Sequence, residues 1–294
     1  MIAYKLSLVL GEGLIFGLLA IGIYIAFQWL RFPDLTPDGS FVLGACAYAK
    51  AVLYGVHPII GLGVALSAGC LAGCCTASVN RLVKIPPVVS GLLVSTALYS
   101  VGWLILGKPN QFLDSRFVLV GEVSGIEASC TLLIWLIAIV VATIAVVSIW
   151  GRSYWGLRLR AVGENPLLAN DLGVSSTAHT FISLAAANGL VGLSGALFAQ
   201  RSYSVDINMG VGITIIGLAG MILGLALARQ RRVLAIVCLS VVAGAIIFKM
   251  VTFLALEAGM PAESFRLLIA ILLVGIFLIL RVSASDLLRG LKWN

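Results

Sequence analysis

The sequence of 294 residues contains little charge, since only 11% of it is Asp, Glu, Lys or Arg. Soluble domains carry about 25% charged residues. Hydrophobic residues make up 61% of the chain, and its mean hydropathy is +1.12. No polar block is long enough for a soluble catalytic domain. The composition therefore predicts an all-α polytopic transmembrane helical bundle, with residues 1–294 forming one transmembrane domain.

Motifs for catalysis and nucleotide binding are absent from the sequence. It has no GxxxxGK[ST] loop, no HExxH zinc motif and no GxSxG nucleophile elbow. His57 and His179 fall at the edges of apolar runs, where an interfacial or capping role is expected. We expect no catalytic residue and no cofactor in this chain. The net charge of +7 comes mainly from short basic loops, which is typical of membrane topology rather than of nucleic-acid binding.

The six cysteines lie within or at the edges of apolar runs. Cys70, Cys74 and Cys75 are close enough in sequence to suggest a metal site. No histidine or carboxylate stands near them to complete one, so we expect small packing residues and no metal.

Apolar segments of about 17 to 25 residues predict membrane spans. We expect about 8–10 spans in all. The first segment is longer than the apolar core of a signal peptide, so it is interpreted as a retained span. The segments are residues 8–30, 40–56, 58–79, 88–106, 130–150, 178–199, 210–228, 233–256 and 264–281.

The basic residues predict the orientation, because short cytoplasmic loops are enriched in Lys and Arg. The predicted cytoplasmic side holds 12 of the 19, namely Arg31, Arg81, Lys84, Arg152, Arg158, Arg160, Arg229, Arg231, Arg232, Arg281, Arg289 and Lys292. The predicted outer side holds 5, namely Lys5, Lys108, Arg116, Arg201 and Arg266. This orientation places the N-terminus outside, and an extra half-span near residues 27–45 would reverse it.

Two polar segments interrupt the helical pattern, RFPDLTPDGS at residues 31–40 and RSYSVDINMG at residues 201–210. Irregular backbone at membrane depth occurs only where protein or a water-filled cavity satisfies it. Transporters often place such breaks on the substrate path. Both segments are therefore candidate pathway elements, with Asp206 and Asn208 as the polar groups of the second. Ordinary interfacial loops are the alternative interpretation.

Glu12, Lys50 and Lys249 are charged residues inside predicted spans, where a functional role is considered by default. Each stands near a span end, so we expect its side chain to reach the interface. No pair of acids stands at a membrane centre. This counts against an ion-driven carrier.

Residues 151–179 turn polar and contain a short helix whose two ends are marked in the sequence. Asn165 is a good N-cap, Pro166 suits the first helical position, and Gly173 suits the position after the end. Residues 166–172 would form a helix about 10 Å long. Because so short a helix is unstable alone, it must be held by the flanking spans or by another protein. The pattern predicts a docking element for a cytoplasmic partner.

Three stretches resemble the permease subunits of bacterial ABC importers, in the group that includes the branched-chain amino acid and ribose permeases. They are residues 13–47 with the motif DLTPDGSF, residues 156–173 with LRLRAVGENP, and the glycine-rich residues 187–224. The likeness covers most of the chain and is greatest to uncharacterised or tryptophan/tyrosine-type permeases. The first motif differs from the stretch typical of branched-chain permeases, so it leaves the substrate open.

The resemblance implies a role for each polar segment. Asp34, Thr36, Asp38 and Ser40 would border the translocation pathway. A cytoplasmic coupling helix would seat in a groove of a separate ATPase, through Gly163, Glu164, Asn165, Pro166, Leu167, Leu168, Ala169, Asn170, Asp171, Leu172 and Gly173. It also implies two ATPase subunits, an extracytoplasmic binding protein that delivers substrate, a second permease copy and a place in the bacterial inner membrane.

Three functions were weighed against these features. An importer permease for a small polar solute, such as an amino acid, is favoured because the capped cytoplasmic helix has no use in a stand-alone protein. A stand-alone secondary carrier or channel would need an ion-coupling acid at the membrane centre. A membrane-embedded enzyme would need a polar catalytic cluster at one membrane face, and the sequence suggests none.

Overall fold

The computed structural model describes residues 2–114, 126–228, 233–259, 267 and 269–275. These residues are almost entirely helical, which confirms the predicted all-α bundle. A π-helical turn at Ile25–Trp29 extends the first α-helix (Ile2–Tyr24), and a 3₁₀ turn at Ile207–Gly210 precedes the ninth α-helix (Ile213–Ala228). The helices are α1 Ile2–Tyr24, α2 Pro37–Leu53, α3 Pro58–Val83, α4 Pro87–Leu106, α5 Ile126–Arg152, α6 Tyr154–Glu164, α7 Pro166–Asp171, α8 Ser176–Ser202, α9 Ile213–Ala228 and α10 Leu234–Glu257. Two short antiparallel strands, β1 Asn110–Phe112 and β2 Ser204–Asp206, pair outside the helices.

Seven segments of the described chain are long and apolar enough to cross a membrane. Each coincides with a predicted span. The predicted span 40–56 is α2, which has 17 residues and a length of about 25 Å at 1.5 Å per residue. That is shorter than the apolar core of a bilayer, about 30 Å. The ninth predicted span, 264–281, lies outside the described residues except for 267 and 269–275, which are helical.

Helix α2 stands at the centre of the bundle. It packs against α3, α4 and α8, while α1 packs against α5, α8, α9 and α10. The side chains of Phe41 and Tyr48 are fully buried. A short helix can stand here because its first turn is surrounded by protein, which satisfies the irregular backbone before it.

Glycines allow the central helices to approach closely. A Cβ built on Gly44 of α2 would overlap the carbonyl oxygen of Gly192 on α8. The same holds for Gly69 and Gly73 of α3, which face the backbone of α8. Small residues at such crossings permit backbone contact between membrane helices. The position of α2 between α3 and α8 therefore depends on these glycines.

The described basic residues of the predicted cytoplasmic side gather at one end of the bundle. Arg31 forms an ion pair with Glu164, and Arg81 donates to the Thr180 hydroxyl at 2.8 Å. At the opposite end Lys5 pairs with Glu257 at 2.8 Å. The cytoplasmic assignment of the first end stays a prediction. Arg116, Arg229, Arg231, Arg232, Arg266, Arg281, Arg289 and Lys292 lie outside the described residues.

Candidate docking and pathway sites

The predicted docking helix is α7, and its N-terminus is capped as the sequence indicated. The Asn165 side chain accepts a hydrogen bond from the Leu168 backbone N–H at 3.1 Å, and Pro166 occupies the first turn. Helix α7 ends at Asp171, one residue earlier than predicted. Gly173 follows with a φ of +78°, a left-handed conformation that glycine adopts without strain. The Asn170 side chain then accepts from the Ser176 N–H at 2.9 Å. These bonds fix both ends of a helix that would not be stable alone.

Helix α7 presents an apolar surface outward. Leu167, Leu168 and Leu172 are 76%, 54% and 73% exposed, whereas Ala169 is buried against the bundle. Exposure of three leucines to water at the charged end of a membrane protein does not stabilise the fold, because the hydrophobic effect favours their burial. The surface formed by these three residues is therefore a candidate contact for another protein.

The preceding helix α6 was not predicted, because its arginines and glycines were interpreted as a polar loop. Ser153 caps its N-terminus by accepting from the Gly156 N–H at 3.4 Å. Leu159 and Val162 are buried one turn apart on the inner face. The sequence contained this helical spacing, so the capping serine together with the two apolar positions was the signal that was missed.

Helix α6 joins α7 to the end of the first span. Glu164, the last residue of α6, pairs with Arg31. A Cβ on Gly163 would overlap the carbonyl oxygen of Trp29, so the two backbones touch. The Arg160 guanidinium donates to the Gly151 carbonyl at 2.7 Å. These contacts connect α6, and through it α7, directly to residues 29–31, next to the first polar break.

That break re-enters the bundle and forms a buried polar junction of Asp34, Thr36, Ser40, Thr76 and Asn188. The Asp34 carboxylate accepts from the Thr36 N–H at 2.8 Å, from its hydroxyl at 2.5 Å, and from the Asn188 amide at 2.7 Å. The Thr36 hydroxyl also contacts that of Thr76 at 2.7 Å, and Ser40 donates to the Asn188 side-chain oxygen at 2.6 Å. All five side chains are fully buried.

The junction ties the start of α2 to α3 and α8. Its members satisfy one another, as buried polar groups at membrane depth must. Three of the predicted pathway residues, Asp34, Thr36 and Ser40, therefore stand inside protein in this conformation. Thr76 and Asn188 were not singled out from the sequence, although an Asn in the middle of a glycine-rich apolar span was an available signal.

Asp38 has different surroundings. Its Oδ1 accepts from the Thr214 N–H at 2.7 Å and from the Thr214 hydroxyl at 2.6 Å, and its Oδ2 accepts from the Gly212 N–H at 3.2 Å. Asp38 thus caps α9, where a carboxylate also interacts favourably with the helix dipole. The residue is half-buried.

Asp38 also lines a cavity of about 330 Å³ between the first turns of α2, the middle of α4 and residues 207–211. None of the other predicted pathway residues lines it. Its remaining lining residues are Gly39, Val42, Leu92, Ser95, Thr96, Tyr99, Ile207, Gly210 and Val211. This cavity is named the α2–α4 cavity below.

The second predicted break contains β2 and the 3₁₀ turn. Asp206 caps that turn by accepting from the Asn208 N–H at 2.6 Å, and the Asn208 side chain is exposed. The Ile207 N–H donates to the Pro109 carbonyl at 3.1 Å. Local hydrogen bonds thus account for the shape of this segment, and its residues Ile207 and Gly210, with the following Val211, form one wall of the cavity.

The charged residues inside spans gather near the end of the bundle opposite α7. Lys249 pairs with Glu12 at 3.3 Å and lies over the Phe16 ring at 3.9 Å. Lys50 lies over the Tyr54 ring at 5.4 Å. His57 caps α3, accepting from the Ile59 N–H at 3.3 Å. Cys70 contacts Gly189, and within the described residues no group of three His, Cys, Asp or Glu side chains could hold a metal ion.

Comparison with known proteins matches residues 6–277 to the family model of the permease component of the branched-chain amino acid transport system. The tyrosine transport system permease protein of Clostridioides difficile (strain R20291) is 30% identical over 90% of this chain and 88% of its own. An uncharacterized protein of Rickettsia prowazekii (strain Madrid E) is 33% identical over 73% of this chain and 75% of its own. The nucleoside ABC transporter permease protein NupC of Lactococcus lactis subsp. cremoris (strain MG1363) is 35% identical over 40% of this chain and 37% of its own.

The family match spans nearly the whole chain and agrees with the apolar spans of the fold. Permeases of this kind are transport subunits, and a separate ATPase and a substrate-binding protein complete the transporter. The chain therefore belongs to the permease family of the branched-chain amino acid transport system, as a multi-pass bacterial inner-membrane ABC subunit that transports a small solute.

Proposed function

We propose that this permease imports an amino acid or a related compound, which an extracytoplasmic binding protein delivers. The named tyrosine permease, similar over most of both chains, supports an amino acid as substrate. The DLTPDGSF motif does not distinguish amino acids from sugars.

In this proposal two permease copies assemble with two ATPase subunits. A single permease type that couples to a pair of ATPases needs a second docking helix, which a second copy supplies. The bundle supports one docking site per chain, since α7 is the one capped short helix with an exposed apolar surface in the described part of the chain.

The single observation that carries the proposal is the exposed leucine surface on the rigidly held α7. A leucine moved from water into a protein contact contributes about 1.5–3 kcal/mol. Docking on Leu167 and Leu168 would thus supply a large share of the binding energy. Force from the ATPase would reach residues 29–31 through the contacts of α6.

Co-purification tests this assignment. The permease is expressed with an ABC ATPase subunit of its own organism, and the complex is isolated in detergent through a tag on the permease. We expect Leu167→Ser combined with Leu168→Ser to reduce the recovered ATPase at least about tenfold, which corresponds to ~1.4 kcal/mol. Both side chains are exposed, so the variant should fold as the parent does.

Leu82→Ser is the matched control. Leu82 is 82% exposed near the same end of the bundle, at the end of α3, but does not belong to α7. It should retain the ATPase fully. Equal loss in both variants would show that α7 is not the docking site. Absence of ATPase from the parent preparation would favour a stand-alone carrier.

A further inference from the structure

The α2–α4 cavity contains one formal charge. Of its ten lining residues only Asp38 is ionisable near neutral pH. No Lys or Arg of the described chain lies within 4.0 Å of its carboxylate. A half-buried carboxylate without a cationic partner attracts a cation, although the helix N-terminus that it caps offsets part of its charge.

The capping bonds leave part of this carboxylate available. An ionised carboxylate has about four acceptor positions. Oδ1 uses two of them on Thr214, and Oδ2 accepts one bond of 3.2 Å from Gly212. Oδ2 therefore retains a free acceptor position, on a residue that lines the cavity.

The opposite wall, on α4, carries three hydroxyl groups. The Thr96 hydroxyl donates to the Leu93 carbonyl at 2.8 Å. Ser95 and Tyr99, one helical turn apart, have no side-chain hydrogen bond to any described residue. Ser95 also touches the start of α2, since a Cβ on Gly39 would lie 2.9 Å from its Cα. The Ser95 and Tyr99 hydroxyls are therefore available to bind a polar group of a solute.

The rest of the lining is apolar, and it is formed by Val42, Leu92, Ile207 and Val211. A carboxylate, unpaired hydroxyls and an apolar wall in one small cavity match a compound with an ammonium group, an acceptor group and an apolar side chain. The same lining disfavours an anion, because it offers no positive charge.

We propose, building on the import function above, that the α2–α4 cavity is a solute subsite that selects for an ammonium group. Asp38 binds the ammonium, the hydroxyls of Ser95 and Tyr99 bind the acceptor end, and the apolar wall contacts the side chain. Asp38 is thus a specificity-determining residue as well as the cap of α9.

Chemical labelling tests the charge of the cavity. In a Ser95→Cys variant the thiol attacks either a trimethylammonium-ethyl or a sulfonatoethyl methanethiosulfonate, which forms a mixed disulfide and releases methanesulfinate. Each rate is divided by that of the same reagent with free 2-mercaptoethanol. We expect the cationic reagent to be favoured at least about tenfold, because Asp38 attracts one reagent and repels the other. Both rates depend on the same thiolate, so its pKa cancels from the ratio.

Two further variants separate the charge from the cap. Asp38→Asn keeps an oxygen that can accept from Thr214 but removes the charge, so in the Ser95→Cys background the ratio should fall close to one. Thr214→Val removes a capping bond and keeps the charge, so the ratio should stay high. The parent chain, with its own six cysteines, gives the background labelling. An unchanged ratio in Asp38→Asn, or no reaction at Ser95→Cys, would overturn the proposal.

Protection measurements test recognition of the ammonium itself. Millimolar L-tyrosine and L-leucine should slow labelling of Ser95→Cys at least about threefold, an extent that weak binding near 1 mM can produce. Their analogues without the amine, 3-(4-hydroxyphenyl)propionate and 4-methylpentanoate, should not protect. Equal protection by both classes, or by neither, would contradict ammonium selection.

ATP hydrolysis by the reconstituted permease–ATPase complex distinguishes the two proposals. If the complex forms and hydrolyses ATP but the labelling ratio is the same with and without the Asp38 carboxylate, only the subsite proposal is wrong. If no ATPase associates while the ratio depends on Asp38, the subsite stands and the ATPase-driven mechanism is wrong.

Discussion

Replacement of Asn188 by alanine should destabilise the bundle strongly, because this side chain makes three buried hydrogen bonds. Its amide donates to Asp34 at 2.7 Å and to the Leu184 carbonyl at 3.1 Å, and its oxygen accepts from Ser40 at 2.6 Å. A bond to a charged group contributes about 1.5–3 kcal/mol and a neutral one about 1 kcal/mol. The Asp34 and Ser40 side chains are fully buried, so the polar atoms that lose these bonds would face protein rather than bulk water. The expected cost is about 3–5 kcal/mol.

The assay is thermal unfolding in detergent. The folded fraction of each heated sample is measured by size-exclusion chromatography. At about 2.1 cal/mol/K of unfolding entropy per residue, this cost lowers Tm by roughly 5–8 °C for a chain of this length. Ser194→Ala is the matched control, since Ser194 is equally buried on the same helix and donates one bond to the Ile15 carbonyl at 2.8 Å. It should lose only about 2 °C. Equal shifts in the two variants would refute the view that the junction acts as a connected unit.

Two further changes test the packing and the buried charges of the bundle by the same assay. Gly44→Ala should cost more than about 2 kcal/mol, because its Cβ would overlap the backbone of α8. Gly63→Ala, which meets nothing within 4 Å, should be neutral or stabilise by up to about 1 kcal/mol, and similar losses at both glycines would contradict this reasoning. Glu12→Gln should cost about 1–3 kcal/mol, because it leaves the Lys249 ammonium, with 12% of its side chain exposed, without its carboxylate. Glu257→Gln breaks a solvent-exposed pair and should change stability by less than about 1 kcal/mol, so an equal effect of the two would show that burial does not matter here.

The sequence predicted what depends on local pattern. Apolar segments of span length predicted the long helices, because in a bilayer a helix is the one local way to satisfy every backbone group. The capped helix near residues 166–172 was predicted because its signals stand within nine residues, from Asn165 to Gly173. The missed helix α6 also had local signals, a serine cap and an apolar face, which its many polar residues concealed.

The tertiary structure decided which polar residues meet. Asp34 and Asn188 are 154 residues apart, and the cavity joins α2 and α4 to the segment before α9. No sequence periodicity or motif predicts that these distant residues meet, because their proximity depends on how the glycine-lined helices α2, α3 and α8 cross. The sequence by itself determined that the chain spans a membrane and carries a short capped helix between two of its spans. Only the packing decided that Asp34 is enclosed in protein while Asp38 lines the cavity, since two residues of the same type, four positions apart, differ in the side chains and backbone that surround them.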